Sequence, residues 1–222
     1  SLDTVANDGF LSLREAVTLA NAEAGADVIT FSANIASSTI ILGSQLNLTS
    51  DITINGDTNG DRRADIVLSG GDLNRIIHQT GTTTDVRLES LNFVDGNANG
   101  ANNDGGAVAA FGGGTLDIRY SGFANNAATD NGGAVLLNGV TANITNSTFV
   151  SNTAGDGGAI YAIGSTPTTI SNTTIHLNSA TDRGGGVYID GNAIISNSTI
   201  TDNRSDSDGS GFGSGGGVFK FA

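Results

Sequence analysis

The stretch DTNGDRRAD, residues 57–65, places oxygen-bearing side chains at alternate positions of a short polar segment. Asp57, Asn59 and Asp61 are followed by Asp65, and the segment comes directly after a strand-like phrase. Calcium binds about six to eight oxygen ligands, several of them from alternate residues of a turning backbone. The spacing therefore predicts that this loop binds calcium.

The same loop resembles the D-x-(D/N)-x-D-G-x-x-D loops of calcium-binding repeats. This resemblance implies that the seventh residue, Arg63, contributes its backbone carbonyl as a further ligand. Arg62 departs from the pattern, because such loops usually have glycine at the sixth position for a tight turn. The alternative is a hairpin loop rich in Asx turns, whose carboxylates are solvated and paired with Arg62 and Arg63.

A second acidic feature consists of aspartates that recur at one constant interval near the Gly-Gly pairs of the chain. The set is Asp104, Asp130, Asp156, Asp182 and Asp208. If these side chains stack, their like charges destabilise the fold unless they are screened or bridged by a cation. Their offset from the Gly-Gly pairs varies, which favours a solvated acidic edge over a row of metal ligands.

Residues suited to catalysis on acidic polysaccharides are few in this sequence. Such chemistry needs a base beside cationic groups or calcium, but the only lysine is Lys220 and the eight arginines are dispersed. His78 and His176 lie about four repeats apart, too far to form one site. A pair of catalytic carboxylates stays open as an alternative, since solenoids bring together residues one period apart.

The composition argues against several classes of partner. The net charge is −13 with only nine basic residues, which argues against nucleic acid and anionic membrane surfaces. No apolar run approaches the roughly 18 residues of a membrane-spanning helix, so we expect no membrane insertion. There is no cysteine, and hence no disulfide framework. Divalent cations are the expected small partners.

Two short sequence motifs repeat along the second half of the chain. A Gly-Gly pair followed by a small residue and an apolar one begins at Gly105, Gly132, Gly157, Gly184 and Gly215. An apolar residue followed three positions later by asparagine occurs at nearly constant steps, at Phe123, Phe149, Ile175 and Ile200. Five positions before each of these stands Ile118, Ile144, Ile170 or Ile195. A fixed period of this length is typical of a solenoid.

Three short β-like phrases per repeat predict an all-β fold, a right-handed single-stranded parallel β-helix of about seven to eight coils. Successive coils stack about 4.8 Å apart, so each residue lies on its equivalent in the next coil. Glycine supplies the positive φ of the sharp corners. The repeated asparagines are predicted to form a structural hydrogen-bonded ladder, Asn126, Asn152, Asn178 and Asn203. Asn146, Asn172 and Asn197 match a glycosylation pattern, but their period favours a ladder role as well.

The amino-terminal segment differs from the repeats. Ser12 and Glu15 form a capping box, and apolar residues at helical spacing predict an amphipathic helix over about residues 12–24, ended by Gly25. Residues 27–31 then begin a strand. Because a solenoid exposes its first coil unless a cap covers it, we predict a helical cap domain over residues 1–34 and a β-helix over residues 35–222.

The segment SLREAVTLANAEAGADVITF resembles the opening of the domain family named for its Cys-Ser-Leu-Arg-Glu-Ala signature, with Leu11 in the place of the cysteine. The downstream repeats are similar to the GGA(I/V) and FxxN repeats of polymorphic outer-membrane proteins and related adhesins. The resemblance implies a secreted or cell-surface bacterial protein that contacts a polysaccharide or a host or neighbouring cell surface. The other candidate function is that of a lyase or glycoside hydrolase acting on acidic polysaccharide.

The two ends of the sequence suggest a piece of a longer polypeptide. The chain contains no methionine, so any targeting signal is expected outside it. No polar closing cap follows Val218, and we expect the natural chain to continue there. An open end carries unpaired backbone groups, so end-to-end association is an expected property of this chain.

Overall fold

The computed structural model describes residues 2–3, 11–99, 103–211 and 213–221. Over these residues the chain winds into a right-handed parallel β-solenoid of about 7 turns, which confirms the predicted fold class. Every pair of neighbouring strands is parallel and is formed by successive coils of the chain. The right-handed sense follows from the twist of the strands, which favours right-handed connections between parallel neighbours.

A coil has up to four strand positions, which we call faces 1 to 4 in chain order. Face 1 contains Leu46–Leu48, Ile77–Gln79, Val108–Phe111, Val135–Asn138, the first parts of Ile160–Ser171 and Val187–Ser196, and Val218–Lys220. Face 2 contains Asp27–Thr30, Ile52–Asn55, Val86–Glu89, Thr115–Arg119, Thr141–Thr145 and the second parts of the same two long strands. Faces 1 and 2 therefore join into one sheet.

The other two faces form separate sheets. Face 3 contains Leu2–Asp3, Thr39–Leu42, Ile66–Ser69, Leu91–Val94, Gly122–Ala124, Thr148–Val150, Thr174–His176 and Thr199–Thr201. Face 4 contains the two-residue strands Asn97–Ala98, Ala127–Ala128, Thr153–Ala154 and Ser179–Ala180. The sequence predicted three strands per repeat and missed face 4, because two residues are too few to show a β pattern.

The core consists of side chains that stack on their equivalents in the next coil. On face 2 the register places Ile118, Ile144, Ile170 and Ile195 above one another. On face 3 the rings of Phe93, Phe123 and Phe149 are stacked, with centroids 4.7 and 4.6 Å apart. The apolar residues that recur in the sequence therefore form continuous buried columns along the solenoid axis.

The Gly-Gly pairs make the corner that leads into face 1, and each glycine has its own reason. Gly132 has φ 65°, a left-handed conformation that side chains rarely adopt. A Cβ on Gly133 would collide with the carbonyl oxygen of Gly158 in the next coil. The first glycine thus permits the turn, and the second permits close stacking of the coils.

A single α-helix is found in the described part of the chain, α1 at Leu13–Ala22, and it is followed by a 3₁₀ turn at Ala33–Ile35. The predicted capping box is present, with Ser12 accepting from the Glu15 amide and the Glu15 side chain accepting from the Ser12 amide. Residues 1 and 4–10 of the predicted cap lie outside the described residues. No helix in the described ranges is long and apolar enough to cross a membrane.

Helix α1 closes the first coil in two ways. Its buried residues, Leu13, Val17 and Ala20, join the hydrophobic core. Its polar side chains donate to the backbone of the first face 1 strand and of the residue before it: Asn21 Nδ2 donates to Asn47 O and Arg14 Nη1 to Gln45 O. The strand Asp27–Thr30, which the sequence assigned to the cap, pairs with Ile52–Asn55 and is the first strand of face 2.

Candidate functional site

The loop 57–65 is an insertion at the corner between faces 2 and 3. It belongs to the connection between Ile52–Asn55 and Ile66–Ser69. In a later coil the same corner consists of only Asn146 and Ser147, between Thr141–Thr145 and Thr148–Val150. The loop is therefore an insertion whose two ends are fixed by the strands Ile52–Asn55 and Ile66–Ser69.

Asp57 organises the loop by accepting hydrogen bonds from its backbone. Its Oδ1 accepts from the amides of Asn59, at 3.1 Å, and Gly60, at 2.6 Å, and its Oδ2 accepts from the amide of Arg62 at 2.9 Å. Burial raises the pKa of Asp57, but the backbone amides that donate to its carboxylate outweigh that effect and hold the pKa below its ordinary value. Asp57 is therefore an anion at neutral pH.

The remaining predicted ligands also make local hydrogen bonds. Asn59 Oδ1 accepts from the Asp61 amide and Asp61 Oδ1 from the Arg63 amide, both at 2.9 Å. Asp65 Oδ2 closes the base of the loop by accepting from the amide and hydroxyl of Thr58, at 2.9 and 2.6 Å. The loop is thus a series of Asx turns, as the alternative interpretation of the sequence requires.

The two arginines of the loop do not pair with its carboxylates. Arg62 has φ 61°, the left-handed conformation that glycine at this position would provide. Its guanidinium lies over the ring of Tyr120, 5.9 Å from the ring centroid. Among the residues described, no ion pair joins Arg62 or Arg63 to Asp57, Asp61 or Asp65. The negative charge of the loop is therefore not neutralised by its own arginines.

The side chains of the loop have the donor chemistry of a calcium site without its convergent geometry. All four, at Asp57, Asn59, Asp61 and Asp65, offer oxygen, the ligand that calcium prefers. Asp61 Oδ2 and Asp65 Oδ1 accept no hydrogen bond within the described ranges. However, no group of three or more His, Cys, Asp or Glu side chains positioned to hold a metal ion occurs there. Binding an ion would require these oxygens to turn inward.

The four asparagines predicted as a ladder are hydrogen-bonded in sequence along the solenoid. Asn126 Nδ2 donates to Asn152 Oδ1 at 3.0 Å, Asn152 Nδ2 to Asn178 Oδ1 at 2.9 Å, and Asn178 Nδ2 to Asn203 Oδ1 at 2.8 Å. Each amide also donates to a face 3 carbonyl of the preceding coil, for example Asn152 to Phe123 O. The first three side chains are fully buried. The ladder satisfies polar groups at the corner between faces 3 and 4.

The ladder role expected for Asn146, Asn172 and Asn197 is wrong. These side chains are exposed, and their residues have φ of 52°, 51° and 48°. Asparagine tolerates this left-handed conformation better than most residues. The ladder at this corner is instead formed by the next residue in each coil, because the Ser147 amide donates to Thr173 Oγ1 and the Thr173 amide to Ser198 Oγ.

The evenly spaced aspartates do not form one stacked row. Asn131 pairs with Asp156 in the next coil, and Asp104 Oδ1 accepts from both nitrogens of Asn131. Asp156 accepts from the amide and guanidinium of Arg183 at 2.9 and 3.3 Å. Burial raises the pKa of Asp156, and Asp182 adds to that effect although Arg183 opposes it. Neutral and basic residues thus separate most of these carboxylates.

The two histidines lie on different faces, three coils apart. His78 is on face 1, where its ring meets Phe111 edge to face at 5.5 Å and its Nδ1 lies 3.3 Å from Gln45 Nε2. Burial lowers the pKa of His78, and Arg75 lowers it further. His176 is on face 3. They do not form a common site, as the repeat spacing predicted.

Three arginines gather at one corner, although the sequence suggested that all were dispersed. Arg87 Nε and Arg119 Nη2 both bind Asp117 Oδ2, at 3.1 and 2.6 Å. Tyr120 follows Arg119 and lies under the guanidinium of Arg62. We call this set of Arg62, Arg87, Arg119 and Tyr120 the arginine–tyrosine corner. The uneven spacing of the three arginines in the sequence gave little signal, because coil lengths vary in this half of the chain.

Comparisons with known proteins add no relative for this chain. No protein-family model, curated protein sequence or solved structure matches it. The geometry of the solenoid, its inserted loop and the arginine–tyrosine corner therefore carry the functional argument.

Proposed function

We propose that this chain is a non-catalytic, calcium-binding β-helical segment of a large secreted bacterial surface protein. It acts there as a stalk or adhesive scaffold that contacts glycans. The observation that carries the proposal is the inserted loop 57–65, with oxygen side chains at alternate positions on a rigid corner. The solenoid supplies a long, stiff body, because each coil buries its core against its neighbours.

The calcium part of the proposal rests on charge and ligand type. Asp57, Asp61 and Asp65 place three carboxylates in one short loop, and none of them forms an ion pair with a described residue. Carboxylate oxygens are ligands that calcium prefers. Asn59 and the carbonyl of Arg63 complete the proposed set of ligands. The ion would draw the oxygens away from some of their backbone partners and stiffen the corner.

Isothermal titration of the chelator-treated protein with calcium is expected to show one site. At calcium concentrations about 100-fold above Kd, binding should stabilise the folded state by about 2.7 kcal/mol and raise the melting temperature. Asp61→Asn keeps an acceptor for the Arg63 amide but removes a charge, so it should weaken calcium binding at least about tenfold.

The matched control is Asp208→Asn, which removes an exposed charge from another coil and should leave the titration unchanged. If the titration shows no heat of binding and millimolar calcium does not change the melting temperature, the calcium proposal is contradicted.

A second candidate function, a lyase or hydrolase acting on acidic polysaccharide, is favoured by one observation. The arginine–tyrosine corner is a cationic group of the kind that such enzymes use to neutralise uronates. Incubation with pectate, alginate and neutral glycans, followed by ultraviolet absorbance of unsaturated uronate and by reducing-end assay, separates the candidates. We expect no turnover. A rate above about 1 s⁻¹, within the ordinary enzyme range, would show that the chain is an enzyme rather than a scaffold.

A further inference from the structure

Tyr120 occupies a corner position that later coils give to asparagine. The first residue of this corner has positive φ in five coils, at Ser90, Tyr120, Asn146, Asn172 and Asn197. An aromatic residue in the left-handed region is strained, because its Cβ approaches the following carbonyl oxygen. Such strain often marks a site of function. The aromatic side chain is only partly buried, so core packing does not account for it.

The inserted loop reaches this tyrosine from two coils away. Arg62 follows the second strand of face 2, whereas Tyr120 follows the fourth. The 5.9 Å separation of the Arg62 guanidinium from the ring shows that the loop runs along the corner past the intervening coil. The ring therefore has a cation on one side, and Tyr120 directly follows Arg119, the last residue of the strand Thr115–Arg119.

Asp117 fixes the other two arginines in place. It is 11% exposed as a side chain, while Arg87 and Arg119 are 44% and 42% exposed. Arg119 uses Nε and Nη2 on this carboxylate, and Arg87 uses Nε alone. The terminal nitrogens of Arg87 donate to no residue in the described ranges. They form a fork that matches a second carboxylate in bidentate geometry.

The local charge suits a ligand with few charges. Three guanidinium groups stand near two carboxylates, those of Asp117 and Glu89. The carboxylates of Asp57, Asp61 and Asp65 lie in the same loop as Arg62, and the net charge of the whole chain is −13. A dense polyanion such as nucleic acid is repelled by the rest of the surface. A single uronate carboxylate fits better, since it can pair with a guanidinium while the apolar face of its sugar ring packs on the aromatic ring.

We propose that the arginine–tyrosine corner binds a uronate residue of an acidic polysaccharide. The Arg87 fork receives the carboxylate, Arg119 and Arg62 flank it, and the Tyr120 ring supports the sugar. This inference deepens the proposed contact with glycans and rests on that part of the proposed function alone. The inference does not require calcium, because none of the four residues of the arginine–tyrosine corner is a proposed calcium ligand.

Titration of the intact chain with a hexamer of galacturonate tests the inference. We expect binding that a neutral glucose hexamer does not reproduce. Arg87→Gln removes the fork and should weaken binding about ten- to a hundredfold, the range for a charge-assisted hydrogen-bonded contact. Arg204→Gln removes an exposed arginine from a distant coil and should change nothing.

Tyr120→Asn separates recognition from folding, since asparagine is the residue of the later coils. Its melting temperature should equal or exceed that of the parent chain, because asparagine suits the left-handed backbone. Its affinity for the hexamer should fall about three- to tenfold. Unchanged affinity in both Tyr120→Asn and Arg87→Gln, or equal binding of the neutral hexamer, would overturn the inference.

A titration in chelator distinguishes this inference from the calcium proposal. The hexamer should bind equally well there. If calcium gives no heat but the hexamer still binds, the calcium proposal fails and this inference stands. If the hexamer binds only with calcium present, or not at all, the assignment to the arginine–tyrosine corner is wrong even when the loop binds its ion.

Discussion

Replacing Phe123 by Ala is expected to lower the free energy of unfolding by about 3–5 kcal/mol, the usual loss for a buried aromatic side chain. Phe123 is fully buried and stacked on both sides, with ring centroids 4.7 Å from Phe93 and 4.6 Å from Phe149. Backbone hydrogen bonds fix the spacing between the neighbouring coils. The coils therefore cannot move together to fill the cavity. Urea unfolding followed by circular dichroism measures the change.

Phe221→Ala is the matched control, since this side chain is 45% exposed. Its effect should stay below about 1 kcal/mol, as for most surface substitutions. A loss under about 1.5 kcal/mol for Phe123→Ala, well below the usual range, would mean that the phenylalanine column does not support the solenoid as described.

Asn152→Gly should cost about 3–5 kcal/mol, because it leaves several buried groups without partners at about 1–3 kcal/mol each. Asn152 Oδ1 accepts from both the amide and the side chain of Asn126, and its Nδ2 donates to Phe123 O and Asn178 Oδ1. The same substitution at exposed Asn172 should be nearly neutral or stabilising, since glycine adopts its φ of 51° without strain. Thermal melting of the two variants gives the comparison.

Equal losses at the two positions would contradict the separate roles assigned to them. In that case the corner between faces 2 and 3 would depend on its asparagine side chains as much as the corner between faces 3 and 4.

The fold could be predicted from the sequence because stacking imposes a period. An inward position must match its equivalent one coil later, so Ile118 is followed one period on by Ile144, and the two pair in the structure. The capping box at Ser12 and Glu15 was equally visible, since it depends on residues close together in the chain. Contacts between residues that are close in the chain, or one constant period apart, can be predicted from a single sequence.

The roles of residues at the corners could not be separated by spacing alone. Asn146 and Asn152 recur with the same period, yet one supplies a left-handed backbone and the other a buried amide. The difference is one of backbone conformation, which the period does not report. The following Ser147 gave the available signal, since a small hydroxyl residue recurs there as Thr173 and Ser198.

Contacts between coils of unequal length were hidden for a related reason. The coil that separates Arg87 from Asp117 is longer than the later coils, so counting at one period did not bring the two residues together. Arg62 reaches Tyr120 only because of the inserted loop. For the evenly spaced aspartates, the varying offset from the Gly-Gly pairs was the informative signal: it argued against one row of metal ligands, and Asn131 rather than Asp130 pairs with Asp156.

The central claim is that the loop 57–65 holds calcium on a rigid solenoid corner, and anomalous X-ray scattering from crystals grown with calcium tests it most directly. The account predicts one anomalous peak inside the loop, with oxygens of Asp57, Asn59, Asp61 and Asp65 and the carbonyl of Arg63 at about 2.3–2.6 Å. A loop that keeps its Asx turns without a peak, or a peak on other residues, would contradict it.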